Sequence, residues 1–185
     1  MECLKLAKFS QFQREALEIF WRHYIYEPIC FYKSFEKLDD EDQALLKKFI
    51  SKSVNEVSNL LAQFQDMQFM LIINLGDLYR YCYELCGRDQ RDFDVAEKCY
   101  QKAILNDIND GRPFNLLGLL VKERSPMEAL FYFLRSSIQR AQATLSMRNI
   151  KIMDESQFEK EKCGPLYSFI ISMFEFKYSN KFYTK

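Results

Sequence analysis

Glycine and proline are scarce. Five glycines and four prolines among 185 residues cannot punctuate the many tight turns of an all-β sandwich, whereas long helices need almost none. Histidine is scarcer still: His23 stands alone, which removes the side chain that most often runs general acid–base chemistry near neutral pH. There is no glycine-rich phosphate loop, nucleophile elbow or H-E-x-x-H helix, and a non-enzyme without cofactor is expected. The six cysteines, Cys3, Cys30, Cys82, Cys86, Cys99 and Cys163, form no C-x-x-C pair. With one histidine they lack the paired spacing of a zinc site and read as reduced thiols of a cytoplasmic protein. The longest apolar run, Phe69 to Leu75, is far shorter than the roughly 20 residues that span a bilayer, and the opening MECLKLAKFS lacks the apolar stretch of a signal peptide. No membrane contact is therefore expected. Neither sign of charge dominates, since 26 Lys and Arg offset 26 Asp and Glu, so no global field draws the chain to nucleic acid.

What is abundant is apolar surface. At 48% apolar and 16% aromatic content the chain can fill the core of one ordinary domain, expected to extend over 1–185 and to be the amino-terminal part of a longer protein. Apolar residues at three- and four-residue steps from Phe9 to Leu38 predict a first helix, interrupted near Tyr26 and Glu27 because Pro28 lacks an amide donor and crowds the carbonyl of Tyr24. Asp39, Asp40 and Asp42 suit the start of a second helix reaching Asp66. A third, Met67 to Leu85, is apolar nearly all round and stops at Gly87, which offers a left-handed residue. Asp92–Asn106, Arg112–Glu123 and Ser125 to about Met147 follow, the last opened by the capping box Ser125-Pro126-Met127-Glu128. After a polar stretch, Pro165 opens an aromatic helix, Leu166 to about Tyr178. Seven helices and no strand make an all-α protein.

An internal repeat aligns Leu75-Gly76 with Leu117-Gly118, and Ala96, Tyr100 and Ala103 with Ala129, Phe133 and Ser136. This is similar to the tetratricopeptide helical pair, in which small residues let two helices approach and aromatics fill the groove between them.

The sharpest local signal is Gly76-Asp77-Leu78-Tyr79-Arg80-Tyr81. It sets Asp77 and Arg80 three apart on a helix otherwise committed to burial, where a guanidinium needs an anion. Either Asp77 satisfies Arg80 internally, or Arg80 faces a groove and receives a phosphate or carboxylate with the Tyr81 hydroxyl beside it. His23 reads as a core or rim side chain. A basic set, Arg135, Arg140, Arg148 and Lys151, would serve nucleic-acid binding, against which the balanced charge argues; Arg135 reads as a structural arginine tying the repeat pairs together.

The run Gly76 to Tyr81 is similar to the G-D-Y-Y-R-Y segment of 14-3-3 proteins. The later stretches Ala96-Glu97-Lys98-Cys99-Tyr100, Gly111-Arg112-Pro113-Phe114-Asn115-Leu116-Leu117-Gly118 and Ala129 to Ser136 resemble the Smg/Est family. Glu84-Leu85, Gly87, Asp89 and Phe20-Trp21-Arg22 resemble its Smg-five type most, over about residues 12–139 in all. The resemblance implies a 14-3-3-like helical bundle with tetratricopeptide-like pairs. It implies a non-catalytic adaptor of nonsense-mediated mRNA decay that forms a heterodimer with a Smg-seven-type paralogue and attaches, directly or indirectly, to the phosphorylated Upf-type RNA helicase. The alternative branch is a telomerase-associated or RNA-binding Est-like domain. Carried across by position, the phosphopeptide site comprises Arg80, Tyr81 and Lys33. Tyr26 falls where 14-3-3 proteins and the Smg-seven type carry a lysine, and Arg22 falls one turn before it on the pocket rim. Loss of one charge-assisted contact costs about 1.5–3 kcal/mol, or one to two orders of magnitude in affinity.

Overall fold

In the computed structural model, residues 2–139, 143–153, 165–170 and 172 are described, and their regular structure is helical, with no strand among them. The chain divides into two units, Met1–Ile108 and Asn109–Lys185.

The first unit begins with α1, Glu2–Ile19, which runs into a π-helical segment, Phe20–Tyr26, and then α2, Glu27–Lys33. This is the form the interruption at Pro28 takes. Proline cannot donate to the carbonyl four residues back and its ring needs room there; the backbone widens by one residue instead of breaking, and the Glu27 amide donates to the Arg22 carbonyl five positions earlier. Helix α3, Asp40–Gln63, is opened by Asp39, whose carboxylate accepts the Asp42 amide at 2.8 Å. It ends three residues before the expected Asp66, where a 3₁₀ turn, Gln65–Met67, leads into α4, Gln68–Leu85. Leu46, Ile50 and Val57 of α3 are buried with Leu71, Leu75 and Leu78 of α4 and with Ile25 and Ile29, so α4 lies within the core, as its all-round apolarity requires. Gly87 adopts φ 102°, the left-handed conformation open to glycine, and the Arg88 amide closes the helix end on the Tyr83 carbonyl at 3.1 Å.

Helix α5, Gln90–Asn106, starts two residues earlier than its apolar pattern, because the Asp89 carboxylate accepts the Arg91 amide at 2.9 Å. It packs on α4 through the pair that the repeat singles out: a Cβ at Gly76 would lie 2.6 Å from the Tyr100 ring, inside any real contact distance.

The second unit repeats the device. It comprises α6, Arg112–Val121; α7, Pro126–Ser137; α8, Ala143–Ile152; and a helical stretch at 165–170. A Cβ at Gly118 would meet the Phe133 ring at 2.5 Å, so α6 and α7 also pack with glycine facing an aromatic. Two expectations need correction here. Ser125 does cap α7 by position, but its hydroxyl makes no capping bond. And the helix expected to run to Met147 stops at Ser137, where Ser136 and Ser137 turn their hydroxyls to backbone carbonyls, of Gly111 at 2.7 Å and Leu134 at 2.7 Å, competing with helix continuation. The chain resumes as α8, held by buried polar groups: the Ser146 hydroxyl donates to Ser136 Oγ at 2.7 Å, and the Asn149 amide to Asn115 Oδ1 at 2.8 Å. Periodicity does not reveal such a latch, since serine and asparagine read as solvent-facing. Of the expected final helix, residues 171 and 173–178 lie outside the described residues. Among the described residues no helix is long and apolar enough to cross a membrane.

Candidate functional site

Asp77, Arg80, Tyr81 and Glu84 follow at three- and four-residue steps on α4 and so share one face. Arg80 is 5% exposed, and every nitrogen of its guanidinium is engaged. Nη2 donates to Asp77 Oδ1 at 2.9 Å, Nη1 to Glu84 Oε1 at 2.9 Å, and Nε to the Tyr100 hydroxyl at 3.2 Å. The Tyr100 hydroxyl in turn donates to Asp77 Oδ1 at 2.8 Å. From the end of α2, Lys33 reaches Glu84 Oε2 at 3.4 Å and holds its ammonium 4.6 Å from the centre of the Tyr81 ring. The Arg80 guanidinium carbon lies 4.4 Å from the same ring, and the Tyr26 ring 6.3 Å away. The structure thus gathers Tyr26, Lys33, Arg80 and Tyr81 around one phenol. Of the two readings open for Arg80, the internal ion pair is the arrangement observed, extended by Glu84 and Tyr100.

The cluster holds two cations and two carboxylates. Burial disfavours the Arg80 charge, but Tyr100, Asp77 and Glu84 outweigh it and raise the guanidinium pKa well above its ordinary value. Burial, reinforced by Asp77, pushes the phenols of Tyr81 and Tyr100 up, so both remain protonated near neutral pH. Burial alone would raise Glu84; Arg80, then Lys33, overcome this and hold the carboxyl below its ordinary value. A carboxyl whose pKa is lower in the folded chain contributes stability that is complete above its unfolded value, about 4.3 for glutamate, and is lost as pH falls through the folded value. The melting temperature is accordingly expected to drop on acidification below about pH 4.3, with a shallower drop in Glu84→Gln. Parallel melting curves for the two proteins across that range would exclude Glu84 as a source.

Beside the cluster, α1, the π segment and α4 enclose a cleft of about 570 Å³ whose walls include Glu18, Arg22, Tyr26, Asn74, Asp77 and Tyr81. Arg22 and Tyr26 line this cleft, whereas Arg80 and Lys33 do not. A second, more apolar groove of about 680 Å³ runs between α1 with the π segment and α3, past Phe12, Phe20, Phe49 and Phe64. Of the two readings for His23, core or rim, the rim is observed: it is exposed on the cleft wall and pairs with Glu27 at 2.9 Å. In the second unit the Arg135 guanidinium lies 5.6 Å from the Phe114 ring centre, so it ties α7 to α6; Arg148 and Lys151 are exposed, and Arg140 and Cys163 lie outside the described residues. No group of His, Cys, Asp or Glu suited to a metal ion occurs among the described residues.

Sequence reasoning identified Arg80, Tyr81 and Lys33, and Asp77 as one of two readings for the anion of Arg80, but not Glu84 or Tyr100. Glu84 was within reach, one turn after Arg80. Tyr100 had a signal only as the aromatic of the repeat, since nothing in its own segment ties its hydroxyl to Asp77. Compared with family models, curated proteins and solved structures, the chain matches none.

Proposed function

We propose that the chain is a non-catalytic helical adaptor of the nonsense-mediated mRNA decay type, which works by docking to a Smg-seven-type paralogue and in which the Tyr81 cluster is chiefly structural. The observation that carries this reading is the saturation of Arg80. Three protein partners already occupy its donors, and a phosphate arriving there would have to displace a carboxylate it repels. The exposed aromatics of the first unit, among them Phe12, Tyr24 and Phe31, supply apolar surface of the kind a protein partner covers. Light scattering of the chain mixed with a Smg-seven-type 14-3-3-like domain is expected to give the mass of a one-to-one complex; a persistently monomeric chain overturns the proposal.

Capture of a phosphoserine peptide is the second reading, favoured by one observation. Lys33 is more than a third exposed and its contact with Glu84 is long, so its ammonium is free to turn toward an incoming phosphate. On this reading Lys33→Glu abolishes phosphoserine-peptide binding in calorimetry; on the docking reading neither protein binds the peptide.

A further inference from the structure

The cleft between α1, the π segment and α4 has hydrogen-bonding capacity that the fold leaves unused. Asn74 on α4 is only 8% exposed, yet its side-chain amide pairs with no other described residue. No fully buried side-chain nitrogen or oxygen among the described residues lacks a partner, so the solvent that reaches this amide comes through the cleft it lines. One turn further on, Asp77 spends Oδ1 on both Arg80 and Tyr100 and keeps Oδ2 open. Asn74 and Asp77, three residues apart, present their acceptors on the same face of α4.

The opposite wall is acidic. Glu18 has no partner among the described residues, and Glu15 accepts only a hydrogen bond from Gln11 at 3.0 Å. Arg22 follows Glu18 by four residues, the spacing of a helical ion pair. The π segment that begins at Phe20 shifts this register, and no ion pair forms between them among the described residues. His23, also on the wall, is held by Glu27. Among the described residues the cleft is thus lined by two carboxylates without a cation, Glu15 and Glu18, by the Arg80-paired Asp77, by the single guanidinium of Arg22, and by the apolar side chains of Ile19 and Met70.

We propose that this cleft receives an arginine side chain from a segment of a partner protein. A guanidinium carries five donors in a planar fork, which suits an array of separate acceptors: Asp77 Oδ2, the Asn74 carbonyl oxygen and the Glu18 carboxylate. Its aliphatic stem packs against Ile19 and Met70. A phosphate would meet the two unneutralised carboxylates of Glu15 and Glu18 and the open oxygen of the Arg80-paired Asp77, and find, among the described residues, one free cation, Arg22. The register shift at Phe20 has a role in this arrangement, because it leaves Glu18 unneutralised. The inference goes beyond the docking proposal and does not depend on it: a chain that fails to join the paralogue retains the same cleft.

The test titrates the isotope-labelled full chain with an acetylated, amidated Leu-Arg-Leu peptide, its citrulline counterpart and its phosphoserine counterpart, and follows the side-chain amide signals of Asn74. The arginine peptide is expected to shift them saturably. Citrulline keeps the shape but loses the charge and should bind about tenfold more weakly. Glu18 is exposed and unpaired, so Glu18→Lys should fold normally and weaken the arginine peptide about tenfold; Asn74→Leu, read through backbone signals of Asp77, should weaken it by a similar factor. No saturable shift with the arginine peptide, equal binding of citrulline, an unaffected Glu18→Lys, or a stronger response to the phosphoserine peptide would each overturn the proposal.

Discussion

Replacing Arg80 by leucine is expected to destabilise the protein by about 3–5 kcal/mol, measured as a shift in the urea unfolding midpoint. Leucine keeps the apolar stem, so the greater part of the loss is not a matter of packing. It comes from what the guanidinium leaves behind: Asp77, with a side chain 13% exposed, Glu84, 28% exposed, and a fully buried Tyr100 hydroxyl that still donates to Asp77. Removing one partner of a buried ion pair leaves the other charge desolvated without compensation, which costs far more than the pair contributes. Arg80→Lys should recover part of the loss, because one ammonium can face one carboxylate but cannot span Asp77, Glu84 and Tyr100 together. The outcome bears directly on function. A guanidinium held for an external phosphate is removed at little cost to folding, so a loss below about 1 kcal/mol would mean that the observed network contributes almost nothing net, and would restore the phosphopeptide reading.

Phe133→Ala should cost a comparable amount, about 3–5 kcal/mol, since the ring is 1% exposed and its removal opens a cavity between α6 and α7. The more diagnostic experiment approaches the same contact from the other side. Gly118→Ala introduces a methyl group that would sit 2.5 Å from the Phe133 ring, and the resulting overpacking should cost about 1–3 kcal/mol even though alanine favours helix. If close approach is the cause, the combination Gly118→Ala with Phe133→Leu must be less damaging than the two single changes added together, because leucine withdraws the ring edge that the methyl group strikes. Additive effects would show that the two residues do not share the contact.

That glycine–aromatic contact was legible in the chain before any coordinates. Leu75-Gly76 and Leu117-Gly118 precede Tyr100 and Phe133 in the same order, with a longer turn in the first copy, and the meaning of the pattern, a small residue that admits a ring, survives that difference in spacing. The helix start at Asp39 was legible from its run of acidic residues, whereas the cap at Asp89, which opens α5 two residues before its apolar pattern, was not. Helix ends were less so. Ser136 and Ser137 look like the interior of a continuing apolar pattern, and they end α7 because carbonyls of Gly111 and Leu134 lie within reach of their hydroxyls. Pro28 announced a disturbance, but whether a helix kinks or widens depends on what packs around it, and Ile25 and Ile29, both buried, hold the chain in line on either side.

The site divides in the same way. One-dimensional spacing was sufficient to place Asp77, Arg80 and Tyr81 on one face of a buried helix and to demand an anion for the guanidinium, because helical geometry is fixed by the chain and the cost of an unpaired buried charge holds in any fold. Which anion answers was settled by packing. Tyr100 enters from α5, twenty positions away, and Lys33 from α2, fifty-one positions before Glu84; neither proximity follows from local sequence. Composition and periodicity therefore determined an all-α protein with a charged knot inside its third long helix, while tertiary contact alone decided that the knot closes on itself and that the unsatisfied acceptors lie next door, at Asn74 and Asp77.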